Sequence, residues 1–252
     1  MSIMAARGDR TLRTTVEVVS SQCRALAGAH GMLDQASRAR MVVLVDDVLA
    51  ALGSPTTARP QSWASLLNHR SVGSRHLDAM TEELAQSTRA DALGRLCTSR
   101  TAVLGTELAG QLPATVSNQF GNSAVVDYLR ATLLELAVLS LAGGPQCLQP
   151  AALRSCVRSL SQALGERFAG HTIEARIPPA SAVQLSAFGQ GPTHTRGTPP
   201  NVVETDELTW LELGTGLTSL EQAVEDRRVT ASGVHALELA RMLPVVDLSR
   251  LT

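Results

Sequence analysis

Between Gly191 and Asp206 this chain gathers its turn-forming, polar and ionisable residues: Gly191-Pro192, His194, Arg196-Gly197, Pro199-Pro200, Glu204 and Asp206. His194 and Arg196 are alternate residues, so in extended backbone both point to one side. There they can grip a carboxylate or phosphate head group through charge-assisted hydrogen bonds. Arg196 can equally pair with Glu204 and pin the loop, and the two readings stand level. Glu135 lies in the most apolar stretch of the chain, where a carboxylate either holds a cation or pairs with an arginine such as Arg130. His69 and His76 fall near one helical face, in a segment rich in Arg and Ser that reads as solvated surface. Glu174 and Arg176 share one side of a strand and read as a solvated cross-strand ion pair.

Several chemistries have no residues to carry them. All 22 basic residues are arginine, so there is no lysine for a Schiff base or a phosphate-binding loop. Ser232-Gly233 lies in no G-x-S-x-G elbow, and no ordered His and Asp partners appear for a nucleophile. Cys23, Cys97, Cys147 and Cys156 form no CxxC pair, which suits buried thiols in a reducing compartment better than a disulfide framework or a zinc cage. The residues point to binding more than to a reaction, with no cofactor.

The elements that must position these residues are readable from periodicity. Pro199-Pro200 forces extended geometry into Asn201–Thr205, which alternates like a strand. Asp206 caps a helix carrying Trp210, Leu211 and Leu213, and Gly214 with Gly216 stops it. Upstream, helical spacing is expected over Thr11–Ala29, Asp34–Leu52 with Asp34 as cap, Trp63–His69, Leu77–Leu96, Val103–Leu112 and Asn122–Ala142. The last of these is apolar nearly all round and reads as the centre of an antiparallel helical bundle, with no strand pattern anywhere in this half. After Gly143-Gly144-Pro145 the pattern changes. A helix over Ala151–Phe168, strands at Thr172–Ile177 and Ala182–Phe188, a helix over Ser219–Asp226, a strand at Val229–Gly233 and a closing helix over Leu237–Leu243 make an α+β domain. The expected division is a helical bundle over 1–145 and the α+β domain over 148–252.

Composition narrows the partners. Of 252 residues, 44% are hydrophobic and only 2% aromatic, so the cores are built from Leu, Val and Ala and the stacking side chains of single-strand nucleic-acid binders are lacking. A net charge of −1 leaves no basic footprint for nucleic acid. No run approaches the ~18 apolar residues of a membrane span, and Met1–Arg10 leads into no apolar block. A cytoplasmic protein without stable membrane insertion is the expectation.

Two resemblances extend this reading. The run Asn201–Thr205, Thr209–Gly216, Ser219–Glu225, Val229–Gly233 and Leu237–Leu243 resembles the sterol carrier protein family. His194–Glu204 together with Glu174–Pro179 looks like the hallmark of a bacterial branch of that family. The resemblance covers about 100 residues of this sequence and implies a sheet with helices on one face, enclosing an apolar cavity for a lipid or acyl chain. The first half is similar to the DinB-like helical domain of mycothiol-dependent maleylpyruvate isomerases, which join such a bundle to a sterol-carrier-like domain. That resemblance implies a metal held by histidines and a glutamate, the last pair spaced Glu-x-x-x-His. Here Glu135 matches the carboxylate, Leu139 stands at the histidine position, and His69 follows Trp63 at shorter spacing than the family's ligand histidine. Glu135 and His69 are thus remnants of a metal set, and no metal is expected.

Three functions follow. The first is non-enzymatic carriage of an apolar or acyl ligand by the C-terminal domain, with His194, Arg196, Glu204 and Trp210 at the site. The second is a metal- and mycothiol-dependent isomerase or transferase, and the third a module with filled cavities that docks a protein partner.

Overall fold

The computed structural model describes residues 2–73, 75–188 and 201–251, with side chains from Arg10 onward. The chain divides into two compact units, Met1–Ala152 with Leu251–Thr252, and Leu153–Arg250.

The first unit is a bundle of six helices: α1 (Ser2–Gly28), α2 (Gln35–Leu52), α3 (Trp63–Gly73), α4 (Arg75–Ser87), α5 (Ala90–Leu108) and α6 (Val125–Ala142). α2 starts at its sequence signal, with Asp34 Oδ1 accepting from the Ser37 amide at 2.7 Å, and Gly53 closes it. On α6 the consecutive residues Leu136, Ala137, Val138 and Leu139 are all fully buried. Four successive positions cover every direction around a helix, so α6 is enclosed on all sides. α1 and α2 pack on it, and α5 packs on both of them.

Three expectations for this unit are corrected. The helix expected over Leu77–Leu96 is two helices broken at Thr88-Arg89, and Val103 belongs to α5. The apolar spacing carries across the break, but the freed carbonyls of Ala85 and Thr88 are taken by the Gln35 amide at 2.6 and 3.2 Å, so the chain can turn there without orphaned acceptors. Strands are also present: β1 (Thr115–Asn118) and β2 (Gly121–Ala124) pair antiparallel. Their tight turn is built by Asn118 Oδ1 accepting from the Phe120 amide at 2.8 Å and by Gly121 at φ 102°, a backbone setting that favours glycine. Finally α6 begins at Val125 instead of Asn122, which lies in β2.

The second unit is built from α7 (Pro150–Arg167), β3 (Ala169–Ile177), β4 (Ser181–Leu185), β5 (Asn201–Thr205), α8 (Glu207–Thr215), α9 (Leu220–Glu225) and β6 (Val229–Ser232). The sheet runs β4-β3-β5-β6, with β3 and β5 parallel and the outer pairs antiparallel. Ile173, Ala175, Ile177, Asn201, Val203, Thr205 and Val229 are buried, and the register places them on one face. Glu174, Arg176, Glu204 and Thr230 occupy the other. The alternation follows from the period of two along each strand. Helices cover the buried face: a Cβ at Gly165 of α7 would come within 3.0 Å of Val183 on β4, and one at Gly214 of α8 within 2.7 Å of Leu160 on α7.

This is the α+β class expected for the C-terminal half, with two differences of detail. β4 ends at Leu185, three residues short of Phe188, after a bulge in its pairing with β3. The closing Leu-rich segment, Ala236–Met242, is a 3-10 helix. No helix among the described residues is long and apolar enough to cross a membrane.

Candidate functional site

Of the site residues expected in the second unit, Glu204 lies on β5 and Trp210 on α8. Asp206 begins α8 as foreseen, its Oδ1 accepting from the Thr209 amide at 2.9 Å and its Oδ2 from the Thr209 hydroxyl at 2.8 Å. Gly216 ends it in the left-handed conformation. Between these stops Trp210 is fully buried, as are Leu211 and Leu213. Among the described residues the Trp210 Nε1 nevertheless has no hydrogen-bond partner, nor has the buried Oε1 of Glu207 one turn earlier. An unmet donor and an unmet acceptor thus stand three residues apart, on one side of the helix. Each costs on the order of 1–3 kcal/mol unless a partner arrives.

Of the other predicted residues, Glu204 is exposed and lies on the polar face of the sheet, in register with Arg176. Arg176 Nη2 meets Glu174 Oε2 at 2.9 Å, so this pair forms within one strand and not across two. The hydrogen bond that Arg176 donates to Glu174 holds its guanidinium above its ordinary range. His194 and Arg196, and with them the Arg196–Glu204 pairing, lie outside the described residues.

The two described ends of the chain around that segment are tied by residues that sequence reading passed over. Asn201, 1% exposed, donates from Nδ2 to the Thr172 carbonyl at 2.8 Å and accepts at Oδ1 from the His235 amide at 2.9 Å. Phe188 donates its amide to Glu238 Oε2 at 2.7 Å, and the other Glu238 oxygen is 2.6 Å from His235 Nδ1. The hydrogen bond with His235, then that from the Phe188 amide, hold the Glu238 carboxyl below the usual carboxylate range. Arg241 lies 4.0 Å over the Phe188 ring, which meets Phe168 edge-on at 5.9 Å. Phe188 and Asn201 are therefore fastened through one His–Glu pair. The signal available in the sequence was His235-x-x-Glu238, a spacing of one helical turn.

In the first unit Glu135 is paired, but not with Arg130. Its Oε2 accepts from Arg40 Nη2 at 2.8 Å and its Oε1 accepts from Arg70 Nη1, while Arg130 pairs with Asp127 and lies over the Trp63 ring. Arg70 is stacked between the Phe120 and Tyr128 rings at 4.9 and 4.7 Å and donates Nη2 to Thr132 Oγ1 at 3.1 Å. The Tyr128 hydroxyl donates to Asp47, 3.6 Å from Arg70, and Arg40 also holds Asp78 at 2.7 Å. Burial alone would raise the Glu135 carboxyl, but Arg70 and Arg40 outweigh it and hold the group below its ordinary range. Burial pushes the Tyr128 hydroxyl well up.

The metal set implied by the isomerase resemblance does not fit here. Both Glu135 oxygens are occupied by guanidinium donors, Leu139 is fully buried and has no donor atom, and exposed His69 shares a hydrogen bond with Gln61 at 2.7 Å. Catalytic zinc usually takes three protein ligands, and among the described residues no group of three His, Cys, Asp or Glu could hold a metal. Two cations already stand where one would bind.

Comparison with known proteins bears first on the C-terminal half. Residues 149–245 match the family described as bacterial SCP ortholog. Most of the chain is then similar in fold to two crystal structures of a mycothiol-dependent maleylpyruvate isomerase, one of them of a histidine mutant. The mutant aligns with a TM-score of 0.53 and the other with 0.51. Each shares 12% identity and covers 88% of this chain and 92% of its own. No curated protein matches the chain in sequence.

Proposed function

We propose that the sterol-carrier-like unit binds an apolar or amphipathic small molecule with an acidic head and a hydrocarbon body, and does so without catalysis. The observation that carries this is Trp210: fully buried among Leu211 and Leu213, yet with its indole donor unmet beside the unmet Glu207 oxygen. A ligand oxygen accepting from Nε1 would remove that deficit, while each buried methylene of its tail contributes about 0.8 kcal/mol. The match of residues 149–245 to the bacterial sterol-carrier family supports the same class of ligand. His194 and Arg196 are the proposed head-group contacts, by their alternation in sequence. The isomerase reading is not adopted, because Glu135 is held by two arginines.

The test uses Trp210 as reporter. Trp63→Phe leaves it as the single tryptophan, and a Phe ring keeps a surface for Arg130. Dodecanoate or its acyl thioester should shift Trp210 emission with saturation. Arg196→Ala should weaken the acid by about 1.5 to 3 kcal/mol, the scale of a charged hydrogen bond, and spare the alcohol. Equal loss for both would make Arg196 a loop-pinning residue. No saturable response at any chain length would remove the carrier reading and leave the exposed Phe188, Val234 and Leu237 as the surface to test for a protein partner.

A further inference from the structure

A groove of about 820 Å³ runs between α1 and α5 in the helical unit, within the ~300–1,000 Å³ range of small-molecule sites. Its walls are made by Ala27, Gly28, Ala102 and Gly105. Small residues facing one another normally let two helices close up, but a Cβ added at Gly28 or Gly105 would meet nothing within 4 Å. Although α1 and α5 pack on each other, both glycines open onto the groove.

Thr101, 6% exposed, lines this groove. Its neighbours Thr98 and Thr106 each donate their hydroxyl to the carbonyl four residues back, at 3.2 Å. Thr101, the one of the three that is buried, does not, and its Oγ1 has no hydrogen-bond partner among the described residues. At the rim Arg24 is exposed, and no hydrogen bond or ion pair engages it among the described residues. Cys23, also on the wall, is 1% exposed, and burial pushes its thiol up to about 12. It is therefore a small apolar surface and not a nucleophile.

From these observations we infer that the α1–α5 groove is a second ligand site, taking an amphiphile with a carboxylate head and a single hydrocarbon chain. The chain lies along the Ala27, Gly28, Ala102 and Gly105 wall. Arg24 meets the negative charge, and the Thr101 hydroxyl donates to a ligand oxygen. The inference is independent of the reading given for the sterol-carrier-like unit, since the two sites share no residue.

The test is photo-crosslinking of the full chain with a diazirine-bearing tetradecanoic acid, mapping the labelled peptides by mass spectrometry. Label is expected on Ser20–Gly28 and Thr98–Ala109. Gly105→Leu places a side chain in the open space and replaces glycine with a better helix former. It should cut that label at least tenfold with no fall in thermal midpoint. Should Gly105→Leu not fold, Ala102→Leu fills the same groove from an exposed position. Arg24→Gln should weaken tetradecanoate about three- to fivefold, the scale of an exposed ion pair, and leave tetradecanol unchanged. Label confined to residues 153–250 would overturn this inference while supporting the other site. So would label on α1 and α5 that survives both filling variants. A dimer that Gly105→Leu converts to a monomer, without acid labelling, would assign the groove to self-association instead.

Discussion

Replacing Glu135 by Gln tests the account of the helical unit most directly. The side chains match in size, so no cavity opens and the cost is electrostatic. In the native protein Arg40 and Arg70 have side chains 4% and 1% exposed, and Glu135 is the buried acid common to both. Removing one partner from a buried charge pair costs about 3–5 kcal/mol, because the remaining charges stay desolvated. Asp78 and Asp47 offset part of this, so about 3 kcal/mol is the expected loss. With a urea dependence of ~1–3 kcal/mol per molar, the unfolding midpoint should fall by about 1 M or more. Trp63 emission in a Trp210→Phe background reports this unit alone.

Acid gives a second readout. Glu135 is held below its ordinary 4.5 in the folded state. Its contribution is therefore complete above 4.5 and is lost as pH falls through the lower folded value. The gap between wild type and Glu135→Gln should be constant near neutrality and narrow progressively below pH 4.5. A loss under about 1 kcal/mol, or a gap that persists undiminished in strong acid, would show that this carboxylate does not neutralise the two arginines. Converting Arg40 and Arg70 to Met together with Glu135→Leu should restore part of the stability, as apolar replacement of a buried ion triad does, while Asp47 and Asp78 lose their arginines but keep some contact with water.

Two further outcomes are expected. Asn201→Ala strands the Thr172 carbonyl and the His235 amide, and should lower the stability of the sterol-carrier-like unit by about 2 kcal/mol; a change within 0.5 kcal/mol, the range of an ordinary surface substitution, would deny it a role in fastening the strand. A fragment of residues 148–252 should give a cooperative thermal transition by circular dichroism, and a fragment without secondary structure would refute an independently folding unit.

Much of this fold was legible because local signals agreed with the tertiary result. Asp34, Asp206 and Gly216 act as the stops their residue types suggest, and the alternation over Thr172–Ile177 and Asn201–Thr205 marks the true buried face. The β1–β2 hairpin was not legible because Thr115–Asn118 and Gly121–Ala124 are small and polar, with their order coming from an Asn side chain and from backbone bonds to residues 54–61. The partner of Glu135 was misread for a related reason. Arg130 is near in sequence, whereas Arg40 and Arg70 come from two other helices, and helical spacing says nothing about which arginines a bundle brings together. Glu207 and Glu238 carried no sequence signal of their own, because the unmet oxygen of the one and the His235 and Phe188 contacts of the other arise only in the folded chain.

The sheet of the second unit also bears on aggregation. Among its described residues the outer strands are β4 and β6, Ser181–Leu185 and Val229–Ser232, and neither carries a charged side chain. Outer strands commonly repel intruding chains with lysine, proline or inward-pointing charge. Here the protection is brevity, since a foreign strand docking on β6 finds four residues to pair with before Gly233 turns the backbone away at φ 99°.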